Sequence, residues 1–183
     1  MLVTLDNLKE FLEINTTSFD TKLNHILNGI DKRVKQYCGK NFEQDTYTDE
    51  IVKFSFGNGF VNNTPVESVS KVTDLDGNSV YFNLIDNETG EIELYFLTNN
   101  RFKVSYTGGL LAEDIPEDLK LAVLKWCEYE YNNQTGIQSF SLDSVSTKAE
   151  LTKSGIPTTV ERILDGYRNI RLWLYEKYKN SYK

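Results

Sequence analysis

The spacing of apolar residues changes twice along this chain, and that change limits the folds open to it. From Leu5 to Tyr37, large apolar side chains recur every three or four residues, the period of a helix with one buried face. From about residue 43 to 107 the period drops to two, in a run rich in β-branched and aromatic residues cut by turn signals. From Pro116 onward the helical period returns. The expected fold class is therefore α+β: a small bundle of about four helices, with an antiparallel β-rich insertion between helices 2 and 3.

The helical segments carry start and stop signals. Thr4 is placed to cap a short first helix bearing Leu5, Leu8, Phe11 and Leu12. A second, longer helix starts at Ser18 or Asp20, with Phe19, Leu23, Ile26, Leu27, Ile30, Val34 and Tyr37 on its apolar face, and Gly39 is its expected stop. Pro116 fits the first turn of a third helix, with Glu117 and Asp118 near its positive end and Leu119, Ala122, Val123 and Trp126 following. That helix is expected to end near Asn132. Thr158 and Glu161 have the spacing of a capping box for the last helix, whose face runs through Val160, Ile163, Leu164 and Tyr167 to Leu174.

Within the β-rich block, Pro65 introduces a strand with Val66, Val69 and Val72. Asp76-Gly77 reads as a hairpin turn before Val80, Tyr81, Phe82 and Leu84. Turns at Glu88-Thr89-Gly90 and Asn99-Asn100 separate two further strands, Gly108-Gly109 closes the block, and Lys53–Gly57 is a candidate extra strand. No internal repeat or long linker appears, so residues 1–183 read as a single domain. Residues 43–107 form the β-rich insertion, 133–156 a polar, flexible arm or hairpin, and 157–183 the C-terminal helix and tail.

The residues offer little for catalysis. The sole histidine, His25, lies beside Ile26 and Leu27 on the second helix, where packing or solvent exposure explains it, and no serine or cysteine nucleophile pairs with it by motif. Cys38 and Cys127 are far apart and match no zinc spacing; they read as buried thiols of a reducing compartment. Asp74-x-Asp76-x-Asn78 shares the opening of a calcium loop. Ser79 then stands where the loop needs glycine, and Ile85 where it needs its last acidic ligand. No phosphate-cradling glycine loop is present. No catalytic residue, metal site or cofactor is expected. Neither a secretory leader nor an apolar stretch long enough to span a membrane is visible.

Charge is distributed unevenly. The whole chain carries −7, which counts against a surface built to grip nucleic acid. The stretch 161–183 has three more basic than acidic residues, leaving −10 on the rest. That basic stretch also holds Tyr167, Trp173, Tyr175, Tyr178 and Tyr182, residue types that dominate binding hot spots.

Four segments in order resemble the head–tail connector (adaptor, head-completion) proteins of tailed bacteriophages and prophages. They are Leu5-x-x-Leu8-Lys9-x-Phe11-Leu12 with Asp20-x-x-Leu23 and Ile30; Val34-x-x-Tyr37-Cys38-Gly39-Lys40-x-Phe42; Pro65-Val66-x-Ser68-Val69-x-x-Val72; and Val104-x-Tyr106-Thr107-x-Gly109, followed by Ile115-Pro116-x-Asp118-Leu119-x-x-Ala122. The likeness covers roughly residues 4 to 131 and departs from the smallest members, nearly all helix, in the size of the β block.

The resemblance implies a structural virion protein of the head–tail interface, made in the bacterial host cytoplasm. Such proteins form a homo-oligomeric ring, twelvefold in the family, beneath the portal protein. They extend the DNA channel, let genomic DNA pass without specific binding, and seat the next neck or tail-completion protein. They work without catalysis and without a membrane. On this reading Glu113, Asp114, Glu117 and Asp118 are candidate channel-lining residues, since an acidic lumen repels DNA. Phe140, Leu142 and Val145 in the arm, and Trp173, Tyr175, Tyr178 and Tyr182 in the tail, are candidate portal or subunit contacts. Another neck or tail assembly role, and a DNA-packaging module bound through the basic tail, are the competing readings.

Overall fold

The computed structural model describes residues 1–53, 57–95, 100–133, 151–152 and 155–169. The candidate contacts Phe140, Leu142, Val145, Trp173, Tyr175, Tyr178 and Tyr182 all lie outside the described residues, as does most of the expected arm. The described chain divides into two compact units. One comprises Met1–Cys38 with Pro116–Arg168; the other comprises Gly39–Ile115 with Asn169.

The first unit is helical: α1 (Leu5–Phe11), α2 (Asp20–Cys38), α3 (Glu117–Asn132) and α4 (Thr158–Asp165). Thr4 does cap α1, and reciprocally, because Asn7 returns a bond through its side-chain oxygen to the Thr4 backbone N–H. In α2 the residues fully buried are Leu23, Leu27, Ile30, Asp31, Val34 and Cys38, a stripe at three- and four-residue spacing. Phe19, expected on that face, is exposed and stands edge-on to Tyr131. Leu119, Ala122, Val123, Trp126 and Cys127 of α3 and Val160 and Leu164 of α4 complete this core. Burying each large aliphatic side chain contributes about 1.5–3 kcal/mol. Thr158, expected as the N-cap of the last helix, is instead its first residue. Pro157 is the N-cap residue, and its carbonyl accepts from Val160 and Glu161 at 2.9 Å. The helix therefore begins as a backbone turn set by the fixed φ of proline. The N-terminus is tied down by Asp31, whose Oδ1 accepts from Leu2 N at 2.9 Å while Oδ2 pairs with Lys35 Nζ at 2.7 Å.

The second unit holds, among the described residues, six strands in two antiparallel sheets. β1 (Asp45–Val52), β6 (Arg101–Gly108) and β3 (Val66–Thr73) form one sheet in the order β1-β6-β3. β2 (Asn58–Phe60), β5 (Glu91–Leu94) and β4 (Phe82–Asp86) form the other, in the order β2-β5-β4. Of the candidate strand Lys53–Gly57, residues 54–56 lie outside the described residues. The central strand β6 alternates strictly, with Phe102, Val104 and Tyr106 inward. With Ile51, Val61, Val66, Val72, Val80, Ile92 and Leu94 they make one apolar core drawn from both sheets.

Two features go beyond the strands and turns read from the sequence. Val66, Val69 and Val72 are three apart, yet they pair with Gly108, Tyr106 and Val104, which are two apart. Irregularities between Val66 and Ser68 and between Val69 and Lys71 absorb one extra residue each, so all three valines return to the same face. The turn at Asp76-Gly77 does form, closed by the Val80 N–H on the Val72 carbonyl at 3.0 Å. The strands on either side then part: β3 stays with β6 and β4 joins β5, so the turn passes the chain from one sheet to the other.

Candidate functional site

The acidic residues proposed for a channel sit at a change of element. Glu113 and Asp114 end a 3-10 turn, Ala112–Asp114, and are exposed. Glu117 and Asp118 open α3. Glu117 pairs with Lys120, whose Nζ lies 2.7 Å from its Oε1. Asp118 accepts the hydroxyl proton of Tyr167. Of the four, only Glu113 and Asp114 have no side-chain partner among the described residues.

Tyrosines carry much of the polar wiring. Tyr167 is pushed up to about 12, by burial first and by its bond to Asp118 second. Tyr37 and Tyr106 are raised further, again by burial first and then by hydrogen bonding to Asp165 and Asp49 respectively. Cys127 is also pushed up to about 12 by burial, and both cysteines are buried thiols outside any disulfide, so Cys127 reads as a packed thiol. His25 is exposed on α2. A group whose ionisation is delayed on folding stabilises the fold while protonated. Its contribution is complete below the ordinary tyrosine value of 10.0 and is lost as pH climbs through the raised values. Urea unfolding should accordingly give a constant free energy from about pH 7 to 9 and a steady fall above about pH 10. A flat profile to pH 11 would contradict these assignments.

The helical unit contains a cavity of about 610 Å³ lined by Arg33, Gln36, Tyr37, Trp126, Gly155 and Ile156. The first three come from the last turns of α2, Arg33 one turn before Gln36 and Tyr37, and Trp126 comes from α3. Gly155 and Ile156 belong to a turn in which Thr152 N donates to the Ile156 carbonyl at 2.9 Å. Arg33 Nη1 bonds Glu130 Oε1 at 2.8 Å, the Tyr37 hydroxyl donates to Asp165 Oδ1 at 2.6 Å, and the Arg168 guanidinium lies 5.3 Å from the centre of the Tyr37 ring. Trp126 is 3% exposed, and its indole Nε1–H has no acceptor among the described residues. Such an orphaned buried donor costs about 1–3 kcal/mol. Tyr37 and Trp126 stand at helical spacing in the sequence and read there as packing positions; Arg33 and Gln36 carry no signal at all. The clue available in the sequence is that a tryptophan on a buried helical face must find an acceptor.

Comparison with known proteins places this architecture. In the neck of an empty gene transfer agent (GTA) particle computed with C6 symmetry, a chain matches at 16% identity with a TM-score of 0.60, covering 92% of this chain and 90% of that one. A chain of the virion of the native GTA particle matches at 15% identity and TM-score 0.60, with the same coverage. One from the neck of the native GTA particle computed with C12 symmetry matches at 17% and 0.55, covering 91% of each. At these identities the likeness shows the fold. No curated protein matches the chain. The family model described as head completion protein matches residues 1–170, nearly the whole sequence, and the chain belongs to the head completion protein family.

Proposed function

We propose that copies of this chain build a ring beneath the portal of a tailed-phage-like particle, prolong its DNA channel and seat the next neck component. As a head completion protein the chain is a structural part of the virion neck, at the head–tail interface. The observation that carries the ring reading is the family match across residues 1–170. The similar GTA neck chains, from particles computed with C12 and C6 symmetry, support it. In this role the work is surface burial between copies, and no reaction is catalysed. A ring of identical subunits joins through two different faces on each copy.

The portal is the proposed upper partner and a neck or tail-completion protein the lower one. The arm residues Phe140, Leu142 and Val145 and the tail residues Trp173, Tyr175, Tyr178 and Tyr182 remain the proposed contacts with portal or neighbouring subunits. Truncation at Leu172 should abolish co-purification with portal; undiminished binding would assign the tail to packing. Light scattering should show portal gaining the mass of twelve 21.1 kDa chains over portal alone. A chain that stays monomeric with portal would overturn the ring.

For the lumen, Glu113 and Asp114 are the stronger pair, since Glu117 and Asp118 are already engaged with Lys120 and Tyr167. Glu113→Gln with Asp114→Asn should leave neck assembly intact and change the rate of DNA ejection by roughly twofold or more, because a less acidic wall holds the phosphates more closely. Particles with unaltered ejection and DNA retention would remove the lumen role.

A further inference from the structure

The sheet of β2, β5 and β4 has a second face, turned away from the core. Ile92 and Leu94 of β5 are buried in the apolar core, and Phe82 and Leu84 of β4 pack against it. Side chains alternate along a strand, so the residues between them point the other way. The pairing of Asn83 with Glu93, and of Phe60 and Asp86 with Glu91, sets these outward residues side by side. One step beyond the strands, Tyr95 N donates to the Tyr81 carbonyl at 3.2 Å, which adds a tyrosine pair to the same face. Tyr81 is 84% exposed and Tyr95 37%. The Tyr95 hydroxyl donates to Glu93, and Asn58 Nδ2 donates to Glu91 Oε1 at 2.5 Å, so both carboxylates are held in place. The three strands contain Asp86, Glu91 and Glu93 and no basic residue. An aromatic face of this sign repels nucleic acid and suits a cationic, aromatic polypeptide.

The chain carries a segment of that character. Residues 170–183 lie outside the described residues; their sequence holds Arg171, Lys177, Lys179 and Lys183 against Glu176 alone, with Trp173, Tyr175, Tyr178 and Tyr182 among them. The residue before them is fixed to this same unit. Asn169 Nδ2 donates to the Asn62 side-chain oxygen at 3.1 Å and reaches the Asn62 carbonyl at 3.4 Å, and Asn62 follows closely on Phe60, the last residue of β2. The segment therefore starts beside one end of the face. Strands lie about 4.8 Å apart and an extended residue spans about 3.3 Å, so about four residues cross the whole sheet, far fewer than the segment has. A tethered segment meets a nearby site at an effective concentration of about a millimolar, which a second copy matches only in comparably concentrated solution. We propose that residues 170–183 dock on the outward face of the β2-β5-β4 sheet of their own chain, the basic side chains on Asp86, Glu91 and Glu93 and the aromatic ones against Tyr81 and Tyr95. The proposal concerns the chain before assembly and does not rest on the ring reading; portal or a neighbouring subunit takes the tail from this seat.

The test uses the full-length chain in solution, observed by NMR. Native Cys38 and Cys127 are buried, so a nitroxide attached to Ser181→Cys marks the tail alone. When the isotope-labelled chain itself carries the nitroxide, the amide signals of Tyr81, Asn83 and Glu93 should broaden, and sharpen again when the nitroxide is reduced. When isotope-labelled chains without nitroxide are mixed with unlabelled chains that carry it, the same signals should stay sharp. Broadening in the mixture would assign the tail to a second copy, and sharp signals in both samples would leave the face without the tail; either result overturns the proposal. Two variants separate docking from folding. The Tyr81 ring is largely in solvent, so Tyr81→Ser leaves the fold as it is and should weaken docking about tenfold, the loss expected for one aromatic anchor. Glu91→Gln with Glu93→Gln keeps oxygens that accept from Asn58 and Tyr95 while removing two charges, and should also reduce the broadening. Undiminished broadening in either variant overturns the proposal. Portal takes no part in the experiment, so a failure here leaves the ring reading untouched.

Discussion

Gly109→Ala should leave the β unit unable to reach its native state, or cost it about 4 kcal/mol or more where folding survives. Gly109 has φ +95, and a Cβ built there would stand 2.3 Å from the Glu43 carbonyl oxygen, 2.6 Å from the Glu43 carbonyl carbon and 2.9 Å from the Phe42 oxygen. All three atoms are backbone, so no side chain can rotate away. The crossing strands are also pinned by hydrogen bonds: Leu110 N to Phe42 O at 2.7 Å, Gln44 N to Leu110 O at 2.8 Å, and Gly109 N to Pro65 O at 2.8 Å. Strain at positive φ adds about 1–2 kcal/mol to the collision. The same substitution at Gly29, in the middle of α2, adds a methyl group that meets nothing within 4 Å, and should stabilise the chain by about 0.5–1 kcal/mol. Urea unfolding of the two variants should therefore move in opposite directions. A Gly109→Ala variant within about 1 kcal/mol of wild type would show that the crossing is not a close one.

Tyr106→Phe should cost about 2–4 kcal/mol. The ring is fully buried on β6, and its hydroxyl is the hub of a polar cluster. It accepts from Asn63 N at 2.9 Å and from Asn63 Nδ2 at 3.0 Å, and it donates to Asp49 Oδ2 at 2.8 Å. Asp49 Oδ2 in turn accepts from Asn62 N at 2.6 Å, and Asn63 Oδ1 accepts from Asn41 N at 2.7 Å. Removing one oxygen leaves two Asn63 donors without acceptors at a residue only 4% exposed, and unmade buried bonds cost more than made ones contribute. The variant should also lose part of the alkaline decline in stability, since Tyr106 is one of the groups whose ionisation folding delays. Tyr47→Phe is the comparison. Its hydroxyl makes a bond to the Glu43 carbonyl at 2.6 Å in a half-buried place, so the loss there should be about 1 kcal/mol. Equal losses in the two variants would mean that water replaces the Tyr106 hydroxyl.

The helices were legible because their signal is local. In α2 the buried stripe Leu23, Leu27, Ile30, Val34 and Cys38 repeats the helical period, and the stop falls at Gly39, which has φ +69. β6 was legible for the same reason, with Phe102, Val104 and Tyr106 alternating over a whole strand. β1 was not, because Asp45–Val52 buries only Ile51 fully; its other residues pair with β6 through backbone atoms, which leave no mark on composition. Nor could the pattern say that Phe19 would face outward, since a terminal residue of a helix can be covered or left bare by whatever packs beside it.

The family resemblance rested on segments whose order, more than any single motif, was informative, and the match over residues 1–170 agrees with it. The candidate channel residues were found by charge alone, and what distinguishes them is tertiary: Asp118 holds Tyr167, forty-nine residues away. The Trp126 cavity is tertiary too, built from α2, α3 and the turn before α4.

Chain order and residue type thus sufficed for much of what depends on near neighbours: which stretches coil, where β6 extends, the cap at Thr4, and the turns at Gly39 and Asp76-Gly77. Partner choice needed the assembled core. The valines at 66, 69 and 72 read as neither clean period until β6 offered them a straight edge and two irregularities took up the surplus residues. Strand pairing and orphaned donors are decided by atoms far apart in the sequence, whose proximity exists only once the apolar surface has closed, so no local pattern can encode them.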